Sequence, residues 1–265
     1  MGLFKIIRWA AAFVFAAVCH VAIIFPHLLL AWLALRLVVR DPVRRRNALC
    51  RCMCWHGYLL AEGLKPILGL RLELEPPAEF PDGAAIVLAN HVSTLDIVFV
   101  FWALHRLGLR RPRWIMKSEL RFTPWAIAAA GGSGFVRRRR NAGDFSVVER
   151  CGALATQDGG LVVLFPEGTR FRGVSADGAW RHLGPPKPGG FAALRRQMPH
   201  APVLSLTLRW AGGRGRTAFS ADGLVGLTVR IAAQTVPAPV VDADPDWLLR
   251  HWREKDAALS AASAP

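Results

Sequence analysis

A long uncharged apolar stretch dominates the beginning of the chain. No residue between Arg8 and Arg36 carries a charge when histidine is counted as neutral. This stretch, from Trp9 to Leu35, exceeds the ~20 residues that an α-helix needs to cross a bilayer. Pro26 lies near its middle and can break a helix there. The pattern predicts a membrane-embedded segment, either one kinked spanning helix or two short helices that enter one leaflet and return.

Basic residues flank this stretch on both sides. Lys5 and Arg8 precede it, and a heavier cluster follows it: Arg36, Arg40, Arg44, Arg45 and Arg46. Because positive charge accumulates on the cytoplasmic side of membrane segments, the remainder of the chain is predicted to lie on the cytoplasmic face. We expect the membrane to be a bacterial inner membrane. The cluster would also attract anionic lipids.

Beyond residue 70 the pattern changes to short strands and helices in alternation. Arg71 to Glu75 alternates apolar and charged residues, as a half-buried strand does. Short apolar runs predict buried strands over 84–89, 160–165 and 203–208, and a further strand nearer an edge over 224–231. Helices are predicted over 42–64, with Gly63 near its end, and over 93–107, 145–156, 189–197 and 246–259.

Strands and helices in alternation predict an α/β fold, with a mostly parallel central sheet flanked by helices. The N-terminal membrane-embedded helical segment precedes it. We divide the chain into a membrane segment with its connecting helix (1–64), an α/β domain (65–240), and a C-terminal helix and tail (241–265).

Composition narrows the classes of protein that fit. The 265 residues include 52% hydrophobic residues, which excludes a disordered chain. The 34 Lys and Arg residues outnumber the 19 Asp and Glu residues, for a formal net charge of +15. Such a balance points to an anionic partner, which could be nucleic acid, anionic lipid or a phosphorylated substrate.

Three of the five cysteines form a C-x-C-x-C run, namely Cys50, Cys52 and Cys54. Zinc sites normally use C-x₂₋₄-C pairs with further ligands downstream. Neither a second cysteine pair nor an H-x₃₋₅-H motif is present. We therefore predict reduced thiols on a helix and no metal site.

The first candidate site is the segment Asn90-His-Val-Ser-Thr-Leu-Asp96. It follows a predicted buried strand and opens a helix, where α/β sheets place their sites. Asp96 can bond one ring nitrogen of His91 and leave the other free to accept a proton. The alternative is a capping box, with Ser93 as N-cap and Asp96 at the third helical position. That alternative leaves His91 without a role.

The second candidate site is Phe165-Pro-Glu-Gly-Thr-Arg170, again directly after a buried strand. Gly168 allows a ligand to approach the backbone closely, and Arg170 can clamp a phosphate with two donors. The alternative is an ordinary turn with a solvated arginine.

Further cations lie at Lys117 and in the run Arg137 to Arg140. Four successive arginines raise the possibility of nucleic-acid binding, but basic runs are usually solvated. No aromatic residues alternate with these arginines as stacking platforms would. Simple surface solvation also accounts for Lys117.

Together these motifs resemble the glycerolipid acyltransferases that include 1-acylglycerol-3-phosphate acyltransferases. His91 and Asp96 match the H-x₄-D motif of that family, and residues 165–170 match its F-P-E-G-T-R motif. Lys117-Ser-Glu-Leu followed by Gly134-Phe-Val-Arg-Arg138 matches its second block, and the paired arginines resemble one branch. Proline is frequent in the family where this chain has Ser205, within a block associated with acyl-donor binding.

The resemblance implies an acyl transfer to the free hydroxyl of 1-acyl-glycerol 3-phosphate without a covalent acyl-enzyme. His91 would act as the base and Asp96 would orient it. The substrate phosphate would bind Arg138, Arg170 and Lys117, and positioning or oxyanion stabilisation would involve Glu167, Gly168 and Thr169.

The expected co-substrate is acyl-CoA or acyl-carrier protein, with no further cofactor and no metal. Expected partners are a lysophospholipid acceptor and membrane lipids, and no nucleic acid. The alternatives are a different lysophospholipid or glycerol acceptor and, more remotely, a non-enzymatic membrane-tethered binder of nucleic acid or anionic lipid.

Overall fold

The computed structural model describes residues 2–137, 142–171, 173, 175, 178–211 and 224–261. Seven strands lie in these ranges: β1 Arg71–Glu75, β2 Ala85–Ala89, β3 Pro112–Lys117, β4 Gly134–Val136, β5 Leu161–Leu164, β6 Val203–Ala211 and β7 Thr228–Val236. The α-helices are α1 Leu3–Val18, α2 Phe25–Val38, α3 Pro42–Leu68, α4 Asp96–Arg106, α5 Ala142–Asp158, α6 Pro188–Gln197, α7 Ala238–Asp242 and α8 Trp247–Ala261. A π-helical stretch over Cys19–Ile24 joins α1 to α2, and two 3₁₀ helices span Ser118–Phe122 and Pro124–Gly131.

All seven strands form one sheet in the order β1-β7-β6-β2-β5-β3-β4. The five strands from β6 to β4 are parallel to one another, whereas β7 is antiparallel to β6 and parallel to β1. The predicted α/β fold with a mostly parallel sheet is therefore confirmed. The last predicted strand, 224–231, is β7 at 228–236, one position from the edge.

The central strand β2 buries both of its faces. Ala85, Val87 and Ala89 belong to the core beneath α3 and α4, while Ile86 and Leu88 belong to the core beneath α5, α6 and α8. This alternation follows from the two-residue period of side chains along a strand. Helices thus cover both faces, as a parallel sheet requires.

The N-terminal segment is one helical path of 36 residues, long and apolar enough to cross a membrane. The π-helical stretch lies immediately before Pro26, whose missing N–H and ring clash a regular α-helix would not accommodate. The path runs antiparallel along α3: Phe15 lies against Gly63, and His27 bonds His56. Helices α1 and α2 therefore do not fold back against each other, as two short helices that enter and leave one leaflet would.

The predicted end of α3 near Gly63 is wrong, because the helix continues to Leu68. Gly63 instead allows close helix packing, since a Cβ there would lie 2.4 Å from the Phe15 ring. The helix ends at Gly69, which takes the left-handed φ of +66° that favours glycine. The predicted segment boundaries at 64/65 and 240/241 fall within α3 and α7, and the division remains a prediction.

Strands β3 and β4 were not predicted from the sequence. β3 begins with proline and arginine, which do not read as a buried strand in the sequence. The structure nevertheless buries the Arg113 side chain completely. Its guanidinium bonds the carboxylate of Asp158, which also accepts two bonds of 2.8 Å from Arg46. This buried ion cluster connects β3, α3 and the end of α5.

Candidate active site

The predicted site segments meet at one edge of the sheet. Strands β2, β5, β3 and β4 are neighbours and run parallel, so their carboxyl ends lie on the same side. His91 follows β2, residues 165–170 follow β5, and Lys117 ends β3 in register with Val136 of β4. Side chains more than 70 positions apart in the sequence are thereby brought to a common edge.

His91 is held by a carboxylate, as its spacing to Asp96 predicted. The Nδ1 atom of His91 lies 3.2 Å from Oδ2 of Asp96, and the histidine side chain is 15% exposed. The imidazole also stacks on the Phe165 ring, with centroids 4.4 Å apart. With Nδ1 directed at Asp96, Nε2 is the nitrogen left to take a proton from a substrate.

Asp96 makes both sets of contacts that the sequence offered as alternatives. Oδ2 accepts the backbone N–H groups of Val92 (2.6 Å) and Ser93 (2.7 Å) as a capping carboxylate does, in addition to its contact with His91. Oδ1 accepts the indole N–H of Trp210 at 3.0 Å. Capping therefore accompanies the histidine contact, and it fixes the carboxylate that orients the ring.

Glu167 lies behind His91 as a buried structural acceptor. Its Oε1 accepts the backbone N–H of His91 at 3.0 Å, and Oε2 accepts that of Gly184 at 3.1 Å. Burial raises the pKa of Glu167 to about 8, against the opposing effect of the two amides and of Lys255. Glu167 therefore holds the backbone around His91, with its side chain only partly available for a substrate.

The next two residues of the same motif turn the chain toward the site. Gly168 has φ +69°, and its amide donates to the Phe165 carbonyl at 3.0 Å. Thr169 is exposed after it. The Gly168 amide is thus engaged within the turn.

The predicted phosphate ligands are cations at the rim of this edge. Arg170 bonds the Thr94 hydroxyl, which links the motif after β5 to the segment after β2. Lys117 is exposed at the end of β3. Arg138 lies outside the residues that the structure describes, and the described chain before it ends at Arg137, whose amide donates to Asp144.

Comparisons with known proteins identify the family of the chain. The family model described as "Acyltransferase" matches residues 71–208, more than half of the chain. The chain belongs to the acyltransferase family. This acyltransferase is 34% identical over 104 residues to a 1-acyl-sn-glycerol-3-phosphate acyltransferase of Helicobacter pylori; the match spans 38% of the chain and 42% of that relative.

A solved structure supports the fold. The acyltransferase superposes with a TM-score of 0.66 on PlsC, the 1-acyl-sn-glycerophosphate acyltransferase of Thermotoga maritima. The match covers 98% of this chain and 97% of that one, at 18% sequence identity. At this identity the likeness establishes the fold, including the N-terminal helices.

Two contacts beside the site were not predicted from the motifs of the acyltransferase. The indole N–H of Trp210, near the C-terminal end of β6, donates to Asp96. Asn90 bridges β2 to β6 through both the N–H and the carbonyl of Leu208 (2.8 and 2.9 Å). A polar residue directly after a buried strand was the available signal for Asn90, whereas nothing local marks Trp210.

Helix α8 contacts a backbone segment that lies next to Glu167. Asp256 accepts the backbone N–H groups of residues 181, 182 and 183 at 2.7–3.0 Å, directly before the Gly184 that donates to Glu167. Lys255 is buried and donates to Ser205 Oγ (3.2 Å) and to the Leu206 carbonyl (3.0 Å). Burial lowers the pKa of Lys255 to about 7, and the Glu167 charge opposes this shift.

Ser205, which stands where the family frequently has proline, belongs to the same hydrogen-bond network as Lys255. The Ser205 hydroxyl lies 2.8 Å from Nε2 of His251, whose pKa is lowered to about 4, first by burial and then by the neighbouring Lys255. A neutral His251 accepts the hydroxyl proton while Ser205 accepts from Lys255. A proline at this position would lack the hydroxyl and leave both α8 side chains without that partner.

Proposed function

We propose that this acyltransferase moves a fatty acyl group from an acyl thioester to the free hydroxyl of 1-acyl-glycerol 3-phosphate, giving phosphatidate. The observation that carries the proposal is His91 held by Asp96 at a sheet edge that also presents Arg170 and Lys117. The name of the Helicobacter pylori relative supports the acceptor. Acyl-CoA and acyl-carrier protein are the two donor classes that fit a thioester.

In this mechanism Nε2 of His91 removes the proton of the acceptor hydroxyl. The oxygen attacks the thioester carbonyl carbon and forms the new ester bond. The C–S bond then breaks, and the leaving thiolate takes the proton back from the imidazolium. Asp96 holds the ring and stabilises its charged form. A base of this kind contributes about 10²–10⁴-fold to the rate.

Positioning and charge stabilisation supply the rest of the rate acceleration. Arg170, Lys117 and Arg138 would bind the acceptor phosphate, because guanidinium and ammonium groups form strong charge-assisted hydrogen bonds. The Thr169 amide would stabilise the oxyanion, and Glu167 would hold the backbone of His91. No metal or other cofactor takes part in this chemistry.

Membrane attachment follows from the nature of the acceptor, which is itself a bilayer lipid. Helices α1 and α2 carry most of the large apolar side chains that are exposed in the described part of the chain. A contiguous exposed apolar surface of this kind is typical of a membrane contact. We propose that this helix lies in the bilayer, with the α/β domain on the cytoplasmic face of a bacterial inner membrane.

Acyl transfer from acyl-CoA to 1-acyl-glycerol 3-phosphate by purified protein in detergent micelles tests the reaction. We expect phosphatidate from the wild type and at least a hundredfold loss in His91→Ala. His200→Ala, a change of an exposed histidine beyond α6, is the matched control and should keep full activity.

Two results would change the proposal. Full activity of a correctly folded His91→Ala protein would remove the base mechanism. An inactive wild type with either thioester donor would direct the test to other lysophospholipids and to glycerol 3-phosphate, and product from one of these would replace the acceptor proposed here.

A further inference from the structure

A cluster of metal-ligating side chains joins α2 to α3, outside the proposed site. It consists of His27 on α2 and of Cys52 and His56 on α3, and one ligand atom from each residue lies within 4.8 Å of the other two. Nδ1 of His27 is 2.9 Å from Nε2 of His56. Within the described residues this is the one group of three such side chains that converges.

We propose that His27 Nδ1, His56 Nε2 and Cys52 Sγ bind a divalent transition metal ion of the zinc class. Two imidazoles and a thiolate are the ligands that such ions prefer in proteins. Three protein ligands leave a fourth coordination position open, on the side of the cluster where His27 is exposed at the protein surface.

Helix geometry places two of the ligands on one face. Cys52 and His56 are four residues apart in α3, so their side chains lie one turn apart on the same side. The third ligand comes from the antiparallel helix facing them. A pair of ligands on one helix and a third on its neighbour is a rigid frame for a metal ion.

The second nitrogen of His56 is already oriented for this role. Nδ1 of His56 lies 2.7 Å from the backbone carbonyl of Cys52 and donates its proton there, which leaves the lone pair on Nε2. Metal-binding histidines almost always donate their other N–H to a carbonyl, carboxylate or water in this way. Trp55 stands edge-on to both imidazoles, at 6.2 Å from His27 and 5.1 Å from His56.

The spacing of the two nitrogens needs only a small adjustment to admit an ion, whereas Cys52 Sγ, which lies 3.7 Å from Nδ1 of His56, must turn toward Nε2. Two nitrogens each about 2.0–2.1 Å from a tetrahedral zinc lie about 3.3–3.4 Å apart, against 2.9 Å between the two rings. A rotation of the exposed His27 side chain supplies the difference. The competing arrangement is a simple hydrogen bond between the two imidazoles, which the experiment below separates from metal binding.

The cysteine run does not itself form the site. Cys50 Sγ lies 3.2 Å from the Gly131 carbonyl, and Cys54 Sγ lies 3.8 Å from that of Phe101, both directed into the core. Cys52 alone faces α2 with His56. The sequence signal of the proposed site is therefore a C-x₃-H pair on one helix, Cys52 and His56, with the third ligand 25 residues before the cysteine. The spacing between cysteines could not reveal this site.

A bound ion would fasten the N-terminal helix to α3. Apolar contacts of Ile24 and Leu28 with Leu49 and Met53 hold the same region. A ligand that binds the folded state alone raises the thermal midpoint. Metal binding and stability are thus linked, independently of acyl transfer.

The test uses the full chain, purified without a histidine tag in detergent micelles, stripped with a chelator and titrated with Co²⁺ and then Zn²⁺. We expect one Co²⁺ per chain, a sulfur-to-cobalt charge-transfer band, displacement by Zn²⁺, and a higher Tm with Zn²⁺. Cys52→Ser should abolish the band, and His27→Ala should weaken binding at least tenfold.

Cys19→Ser and His20→Ala are matched controls on the same N-terminal helix, because neither side chain belongs to the cluster. Both should keep wild-type binding. No stoichiometric Co²⁺ binding by the wild type, or binding that survives both Cys52→Ser and His27→Ala, would overturn the site. If His27→Ala does not fold, Cys52→Ser replaces a single atom and still decides the question.

Discussion

The Asp96 carboxylate receives three N–H donors in addition to its contact with His91. Two come from the backbone of its own turn, and the third comes from Trp210 on β6. The turn donors fix one oxygen, and the indole fixes the other. The orientation of the imidazole therefore depends on a tryptophan that lies 114 residues further along the chain.

Trp210→Phe should lower kcat about tenfold and leave KM for both substrates within about twofold. Phenylalanine keeps the aromatic packing against Phe99, whose ring centroid is 5.4 Å away, but loses the N–H. A hydrogen bond to a charged group is worth about 1.5–3 kcal/mol, and here part of it holds the proposed base in place. Steady-state kinetics with separate variation of donor and acceptor measures this effect.

Trp114→Phe is the control, since Trp114 is buried in the same core and its indole nitrogen has no hydrogen-bond partner among the described residues. Its kcat should change less than threefold. Equal losses in the two variants would assign the effect to packing and contradict the proposed role of the Trp210 N–H.

Helix α8 acts on the site through main-chain groups. Asp256 accepts three successive amides of residues 181–183, and the following Gly184 amide holds Glu167. Glu167 in turn accepts the amide of His91. The helix at the C-terminal end of the described chain thus supports the turn on which the proposed base lies.

Asp256→Asn should lower Tm by about 3–8 °C and reduce kcat. The amide group of asparagine can accept through one oxygen only, so one of the three N–H groups loses its partner, and the cost is about 1–3 kcal/mol for a buried group. The N–H of Leu183 is buried and those of Arg181 and His182 are partly buried. Each kcal/mol corresponds to about 2–4 °C for a chain of this size. Thermal unfolding in the detergent used for the assay gives the value.

Glu254→Gln makes the same chemical change at an exposed position of α8 and should leave Tm within about 1 °C. A midpoint for Asp256→Asn equal to that of Glu254→Gln would show that α8 does not hold the turn.

The order of most strands and helices could be predicted from the sequence, because apolar periodicity is a local signal. Strand β1 has the predicted bounds, and α8 differs by one or two residues at each end. Long-range partners decided the rest. Arg113 can lie buried within β3 because Asp158 pairs with its charge, and the sequence pattern does not show this partner. The close contact with Phe15 likewise explains why α3 contains Gly63 in its interior.

The candidate site divides in the same way. His91, Asp96, Glu167 and Arg170 follow buried strands in compact motifs, so the sequence could single them out, and the parallel strands bring them to one edge. The contacts of Trp210 and Asp256 could not be predicted, because they join residues 70 or more positions apart in the sequence. A contact of that kind becomes visible only in three dimensions.

In the molecule as a whole, other elements bury the sheet, whereas most of the N-terminal helix is exposed. Both faces of the sheet are packed by helices, whereas the 36-residue N-terminal path exposes valine, leucine, isoleucine and phenylalanine side chains along its length. A net charge of +15 would favour an anionic surface beside that helix. Apolar insertion and charge attraction therefore act together, and they can be separated experimentally.

Val18→Lys should weaken binding to neutral phosphatidylcholine vesicles in high salt at least tenfold, whereas Val240→Lys should leave it unchanged. The two valines are each 52% exposed, and each substitution adds one positive charge. They differ in place, since Val18 lies on the apolar helix and Val240 on α7. A lysine within the apolar region of a bilayer costs about 2.5–3.5 kcal/mol, and neutral lipid with high salt removes the compensating attraction of the added charge. Vesicle flotation measures the bound fraction, and equal binding of the two variants would exclude α1 from the membrane contact.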